Sequence, residues 1–216
     1  MTTGSPTSAE PGPARAPIPD AALAAIEAHL RQRELRREEL YQQARRLRRL
    51  SQATIARLHT SPLPPDELTT VRRMLSELSD VVRREGRGDE QVALDAFQEG
   101  VEACLLGAIV EGTALPTPSE LGVEPEPFLL GLGDVVGEVR RRVLDRLGRG
   151  EIDSAERQLR LMEDLTEALL RFDTSRAIVQ LKPKQDQARN LLERTRGEVV
   201  MARLLLRSRP PPEPTR

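Results

Sequence analysis

Apolar side chains recur at intervals of three and four residues along most of this chain, and this periodicity constrains its fold more than any other feature. The clearest example is the run Leu132, Val135, Val136, Val139, Val143 and Leu147. Such spacing places apolar side chains on one face of an α-helix. No segment shows the period-two alternation that is typical of a half-buried strand. We therefore predict an all-α protein, an antiparallel bundle of six or seven helices.

Proline- and glycine-rich segments divide this pattern into helices. We predict helices at about residues 20–59, from Pro65 or Asp66 to near the segment GRGD, at about 89–110 and 126–147, from the turn GRGEIDSAER to near Phe172, and from near Pro183 to about 207. One further helical turn is predicted within the connector TALPTPSELGVEPEPF. Residues 20–207 are expected to form a single domain. The Pro/Ser/Ala-rich segment 1–19 and the Pro-rich segment 208–216 are expected to be disordered tails.

Composition narrows the class of function and the compartment. The net charge is −1, so the whole chain is not a general polyanion binder, and aromatic residues are only 2% with no tryptophan, which disfavours strong base-stacking platforms. The single cysteine, Cys104, lies in an apolar run and is expected to be a small buried side chain. One cysteine excludes a disulfide within the chain, in keeping with a reducing cytoplasm. No stretch is apolar enough to span a membrane, and residues 1–19 lack the apolar core of a signal peptide.

Four carboxylates at helical spacings are the candidate functional groups. Glu99 and Glu102 lie three residues apart, and Asp134 and Glu138 lie four apart. Each pair falls on one face of its helix, with Cβ atoms about 5–6 Å apart. Two such helices packed together would place four oxygen ligands around one point, which is the ligand set that Mg²⁺ and Mn²⁺ prefer.

Small residues accompany both carboxylate pairs: Gly100 in the first segment, and Gly131, Gly133 and Gly137 in the second. Small residues allow two helix backbones to approach closely, which would bring the opposing carboxylates together. Four clustered anions would repel one another and take up protons unless a cation joined them. The cluster is therefore expected to hold a metal ion, if it forms at all.

A simpler interpretation of the same acids is a solvated acidic stripe. Glu102 would then pair with an arginine of a neighbouring helix, and Glu138 with Arg141 or Arg142 at the next helical turn. The chain has few of the residues that other kinds of catalytic or ligand-binding site require. His29 and His59 are the only histidines and are expected at the surface or at a helix end, and the chain contains no HExxH, CxxC or glycine-rich phosphate loop.

Several segments resemble the translin family, and most closely its prokaryotic and TRAX-like members. The similar segments are REELYQQARRLRRLSQATIARLH, QEGVEACLLGAIVEG, LPTPSELGVEPEPFLLGLGDVVGEVRR, RGEIDSAER and LKPKQDQARNLLERTRGEVVMARL. They extend from about residue 36 to residue 207. The most specific part is the ELGV segment that continues through FLLGL to the D-x-x-G-E motif.

This resemblance implies an all-α chain that assembles into a hollow homo-oligomer, an octamer, that acts on single-stranded RNA. TRAX-type subunits are metal-dependent endoribonucleases, whereas translin-type subunits bind RNA or single-stranded DNA without the acidic set. The acids of the TRAX-like motifs correspond here to Glu99, Glu102, Asp134 and Glu138, which are therefore the expected catalytic residues and ligands of Mg²⁺ or Mn²⁺.

The segment before the first acidic motif departs from the family pattern. Many relatives carry aromatic and basic residues there, whereas this chain has GDEQVALDAF. RNA contacts are therefore assigned to arginines elsewhere: Arg72, Arg73, Arg83, Arg84 and Arg87. Two other functions remain open, namely a non-catalytic binder of single-stranded RNA or DNA and a helical scaffold that binds only proteins.

Overall fold

A computed structural model describes residues 18–64, 66–85 and 90–207. Within these ranges the chain forms seven helices and no strand. In chain order, they are α1 (Asp20–Thr60), α2 (Glu67–Glu85), α3 (Glu90–Glu111), α4 (Pro118–Leu121), α5 (Pro125–Gly148), α6 (Ile152–Leu170) and α7 (Leu181–Arg207). The all-α prediction is confirmed, and the short α4 is the helical turn predicted within the connector.

The main body of the fold comprises residues 39–207 of the described chain. At its centre lies α5, which packs against α3, α6 and α7, while α2 packs against α3 and α6 against α7. The apolar stripe of α5 accounts for this position, because Val135, Val136, Val139 and Val143 are fully buried. Burying such a stripe stabilises a helix in a bundle more than its intrinsic propensity does.

Polar contacts fix two of the helix pairs. The guanidinium of Arg140 in α5 donates to Thr195 at 2.6 Å and to both carboxylate oxygens of Glu198 in α7, at 2.7 and 2.9 Å. At the other end of the bundle, the buried Glu67 accepts a hydrogen bond from Thr54 of α1 at 2.7 Å and pairs with Arg57. A bidentate arginine–carboxylate pair restricts the relative position of its two helices more than a single hydrogen bond does.

The connector before α5 is built from local capping interactions. Thr117 accepts from the backbone of Glu120, whose carboxylate accepts from the backbone of Thr117, and Pro118 occupies the first turn of α4. The helix ends at Gly122, whose φ of +68° is a conformation that favours glycine. These residues set the path by which the chain enters α5 at Pro125.

Residues 18–38 form a separate unit within the first half of α1. Its apolar side chains are exposed: Leu23, Ile26, Leu30 and Leu35. A second exposed set lies near the end of α7 and includes Val200, Met201 and Leu206. None of the helices in the described ranges is both long and apolar enough to cross a membrane.

Several predictions fall partly or wholly outside the described residues. The tail 208–216 and residues 1–17 of the tail 1–19 lie there, as does Arg87. The predicted helix boundaries otherwise agree with the structure to within about two residues, which is the usual scatter of helix ends. Cys104 is fully buried in α3, as predicted.

Candidate metal and catalytic centre

Gly131 brings α3 and α5 into backbone contact at the candidate site. A Cβ atom at this position would lie 2.8 Å from the carbonyl oxygen of Gln98 and 2.8 Å from Cγ1 of Val101. Both distances are shorter than any real Cβ contact allows, so only glycine fits here. The segment of α3 that carries Glu99 and Glu102 is thereby held against the first half of α5.

Three of the predicted carboxylates lie close enough to the fourth, Glu102, to raise the pKa of its carboxyl group. Glu102 is only 8% exposed, and the pKa of its carboxyl group is raised from 4.5 to about 8. Burial is the largest cause, followed by the neighbouring charges of Asp134, Glu138 and Glu99 in that order, while Lys184 acts in the opposite direction. In the absence of a bound cation, Glu102 therefore retains its proton at neutral pH.

The other three carboxylates each have protein partners. Asp134 accepts from the amide of Gln98 through Oδ2 and from the ammonium of Lys184 through Oδ1.

Glu138 and Glu99 are held by residues of α1. Oε2 of Glu138 lies 2.5 Å from Nε2 of His59. Oε1 of Glu99 accepts from the amide of Gln52 at 2.9 Å and lies 3.7 Å from Nε of Arg48.

These partners explain how the carboxylate side chains are arranged. In the part of the chain that the structure describes, no three His, Cys, Asp or Glu side chains converge closely enough to hold a metal ion. Glu99, Asp134 and Glu138 are each held by a separate donor instead of pointing toward a common centre. The protein has thus balanced part of the negative charge with its own hydrogen-bond donors.

The donor set nevertheless fits a hard divalent cation. All four groups are carboxylates, they come from two helices in direct contact, and their mutual repulsion raises the pKa of Glu102. A divalent cation would remove that repulsion, and Mg²⁺ and Mn²⁺ favour oxygen ligands of this kind. Glu99, Glu102, Asp134 and Glu138 are the residues that would hold it.

Comparison with known proteins places the chain in a family. No protein-family model matches it. The uncharacterized protein MJ0175 of Methanocaldococcus jannaschii is 32% identical over 170 residues, which span 76% of this chain and 75% of that protein. The crystal structure of AfC3PO, a translin-family protein, is 32% identical with a TM-score of 0.76, covering 85% of this chain and 98% of that one. The chain belongs to the translin family.

Two further translin-family structures have the same fold. A structure of AfC3PO with duplex RNA has a TM-score of 0.70 and 28% identity, and it covers 87% of this chain and all of that one. The crystal structure of apo-NeC3PO has a TM-score of 0.69 and covers 87% of this chain and all of that one. At 20% identity, NeC3PO bears on the fold alone.

His59 is the one histidine of this translin-family chain that reaches the site. It lies in the last turn of α1, as expected for a helix-end residue, but its side chain is only 2% exposed. The expectation of a surface or helix-end position is thus met at the helix end by His59, whose side chain is nevertheless buried, and at the surface by His29, which is exposed. Nε2 of His59 contacts Glu138, whereas Nδ1 on the other side of the ring is buried and has no hydrogen-bond partner.

The solvated acidic stripe is not what the structure contains. Glu102 is buried, and the pairing expected for Glu138 with Arg141 or Arg142 is replaced by its contact with His59. The partner of Glu138 thus lies in α1, whereas Arg141 and Arg142 lie with Glu138 in α5.

The glycines have different roles from one another. Gly131 forms the predicted close contact between α3 and α5, whereas Gly100 faces Leu75 of α2. Gly133 faces Lys184 of α7, and Gly137 has only an ordinary contact with Leu191. The prediction that all four allow α3 and α5 to approach is thus confirmed for one position only.

Four of the five arginines assigned to RNA lie on α2 and are exposed, namely Arg72, Arg73, Arg83 and Arg84; the fifth, Arg87, lies outside the described residues. Arg73 pairs with Glu77 at 3.0 Å, and Arg84 donates to the backbone oxygen of Asp80. Arg83 donates to Ser79 and to the backbone oxygen of Gly122.

Arg72 instead lies near residues of α3 and α4. Its charge lowers the pKa of the Glu120 carboxyl, after the larger effect of two hydrogen bonds from Thr117. Arg72 also lines a cavity of about 410 Å³ together with Glu111 and Leu115.

Proposed function

We propose that this translin-family protein is a Mg²⁺- or Mn²⁺-dependent endoribonuclease that cleaves single-stranded RNA inside an octameric homo-oligomer. The observation that carries the proposal is that Asp134, Glu138 and Glu99 lie near enough to the buried Glu102, at the contact between α3 and α5, to raise the pKa of its carboxyl group. Anions at this density repel RNA phosphates, so they serve no purpose in a site that only binds RNA. They suit a site where a divalent cation joins protein and phosphate.

The chain's own residues supply position and charge. When bound there, the divalent cation would lower the pKa of a water molecule and offset charge on the scissile phosphate. Gln98 and Lys184 hold the carboxylate of Asp134, and His59 holds that of Glu138, so both carboxylates are oriented by the protein itself. Glu99, which Gln52 holds through Oε1, accepts the proton of the attacking water.

RNA binding is supported by the related AfC3PO, whose structure with duplex RNA is known. In this chain, the exposed arginines of α2 are the proposed phosphate contacts, so affinity should fall as salt rises. We propose single-stranded RNA as the substrate, with single-stranded DNA as a further ligand. A duplex of the same sequence is the matched comparison.

Self-assembly is supported by the exposed apolar side chains of α1 and of α7. Contiguous apolar surface on a water-exposed helix is typical of an interface, and identical chains most often associate with closed symmetry. We propose the octamer and the cytoplasm as the assembly and compartment of this protein.

The alternative is a non-catalytic binder of single-stranded RNA or DNA. Protein donors hold Glu99, Asp134 and Glu138, and no three His, Cys, Asp or Glu side chains of the described residues converge on a metal position, which favours this alternative. The test is cleavage of a labelled single-stranded RNA with Mg²⁺, with Mn²⁺ and with EDTA, beside Glu102→Ala and Asp134→Ala. Our proposal predicts metal-dependent cleavage that both variants lose while remaining helical and assembled. Retention of RNA without cleavage in every sample would establish the binder instead.

A further inference from the structure

Lys184 places its ammonium directly on the carboxylate cluster. It lies in the first turn of α7, and its Nζ donates to Oδ1 of Asp134. A Cβ atom at Gly133 would lie 2.9 Å from Cβ of Lys184, so the lysine stem lies against the bare backbone of α5. The absence of a side chain at position 133 thus gives the lysine stem the space it takes beside α5.

Lysine is a rare residue in this chain. Lys182 and Lys184 are its only lysines, and all its other strongly basic side chains are arginines. The ammonium of lysine is a compact point charge, whereas the arginine guanidinium is a broad planar fork. A compact charge fits into the space beside one carboxylate oxygen, which is also the kind of space that a small metal ion takes.

Both oxygens of Asp134 are in use in the metal-free site. Oδ1 accepts from Lys184 and Oδ2 accepts from Gln98. A divalent cation bound to Asp134 must share an oxygen with one of these donors. Sharing with Gln98 costs a neutral hydrogen bond, whereas sharing with Lys184 brings two positive charges within a few ångströms of each other.

We propose that Lys184 is a tethered counter-cation that competes with the divalent metal for Asp134. Without metal, the ammonium balances part of the negative charge of the cluster, and the arriving metal displaces it. The Lys184 side chain is 23% exposed, so the released ammonium has a path to solvent. Lys184 is thus a positioning residue that holds Asp134 until metal binds. This inference rests on the proposed metal site.

Amine labelling of the wild-type protein tests the displacement directly. The chain has two lysines, so an amine-reactive acylating reagent followed by peptide mass analysis reports on Lys184 with Lys182 as an internal reference. Lys182 is exposed and pairs with Asp186 at 3.1 Å, one turn along the same helix. With Mn²⁺ added, labelling of Lys184 should rise several-fold relative to labelling of Lys182. An unchanged ratio under metal-saturating conditions would overturn the inference.

Calorimetric Mn²⁺ titration of variants gives an independent result. Lys184→Met should bind Mn²⁺ about ten- to a hundredfold more tightly than wild type, because a charge-assisted hydrogen bond no longer competes. Lys182→Met should bind like wild type. Lys184→Arg retains the charge and should stay closer to wild type than Lys184→Met. A residue that merely shapes the site would give weaker binding when removed, which is the opposite sign.

The outcomes separate this inference from the proposed function. If wild type binds Mn²⁺ and Lys184→Met binds equally or less tightly, the counter-cation role is wrong and the metal site stands. If wild type and Lys184→Met both fail to bind Mn²⁺ or Mg²⁺, the metal site and the counter-cation are both wrong. The labelling measurement uses the unmodified protein and so does not depend on how the variants fold.

Discussion

The buried imidazole of His59 and the partly exposed carboxylate of Glu138 form a pair that joins α1 to α5. Nε2 of His59 lies 2.5 Å from Oε2 of Glu138, and no partner satisfies Nδ1 on the other side of the ring. A neutral imidazole has one N–H, and the contact with a carboxylate favours its placement on Nε2. His59 therefore orients a proposed metal ligand from 79 residues away in the sequence.

Replacing His59 should impair the site without unfolding the bundle. His59→Phe leaves Glu138 without its buried donor, and we expect about a tenfold or greater loss of metal affinity, in line with the loss of other groups that orient ligands. His59→Gln retains a donor and should recover part of that loss. Mn²⁺ titration measures both. His29→Gln is the matched control, since His29 is exposed on the same helix. Equal Mn²⁺ affinity in wild type and His59→Phe would contradict the positioning role.

The metal-free protein should lose stability as pH rises, because of Glu102. Its folded-state pKa of about 8 exceeds the ordinary 4.5, so the folded chain holds this proton more tightly than the unfolded chain. The free energy of unfolding should therefore fall between about pH 4.5 and pH 8. Glu102→Gln cannot ionise and should be more stable than wild type above pH 8, by a few kcal/mol. Urea unfolding in EDTA at pH 5.5 and pH 8.5 measures this difference.

The matched control for that experiment is Glu111→Gln, at an exposed position of the same helix. It should retain the wild-type pH dependence. If Glu102→Gln and Glu111→Gln showed the same pH dependence, Glu102 would not be the protonated group.

Metal binding should release a proton. Glu102 is protonated below about pH 8 in the metal-free protein, and a carboxyl group must be ionised to coordinate a metal. Mg²⁺ affinity should therefore rise with pH and level off above about pH 8. Titration calorimetry in two buffers of different ionisation enthalpy should show about one proton released at pH 6.5 and almost none at pH 9. Binding without proton release at pH 6.5 would exclude Glu102 as a ligand.

Gly131 and Gly137 should respond in opposite directions to the same substitution. Gly131→Ala forces α3 and α5 apart, because its Cβ would meet backbone at 2.8 Å, and should cost about 1–3 kcal/mol of stability along with metal affinity. Gly137→Ala meets nothing closer than 3.9 Å and should stabilise α5 by about 0.5–1 kcal/mol. Urea unfolding compares the two variants. Similar effects at both positions would contradict the close contact at Gly131.

The fold and the acidic half of the site could be predicted from the sequence because their signals are local. The valines of α5 follow the helical period, and Glu99 with Glu102 and Asp134 with Glu138 each share one helical face. The resemblance of the chain to the translin family was also carried by contiguous sequence segments. These features need only a few neighbouring residues to be recognised.

The partners of the acids could not be predicted in the same way. His59, Gln52 and Lys184 reach the cluster from α1 and α7, and their sequence neighbours do not indicate which helices will pack together. The rarity of lysine was the one available signal for Lys184. The role of Gly133 likewise depended on knowing that α7 passes beside it.

The most direct test of the central claim relates metal binding to cleavage. The rate of cleavage of one labelled single-stranded RNA should be measured across Mn²⁺ concentrations and compared with the Mn²⁺ isotherm of the same protein. The account predicts that the two curves coincide, that EDTA stops cleavage, and that Asp134→Ala abolishes both. Cleavage that persists in EDTA or in Asp134→Ala would contradict a nuclease centred on these carboxylates.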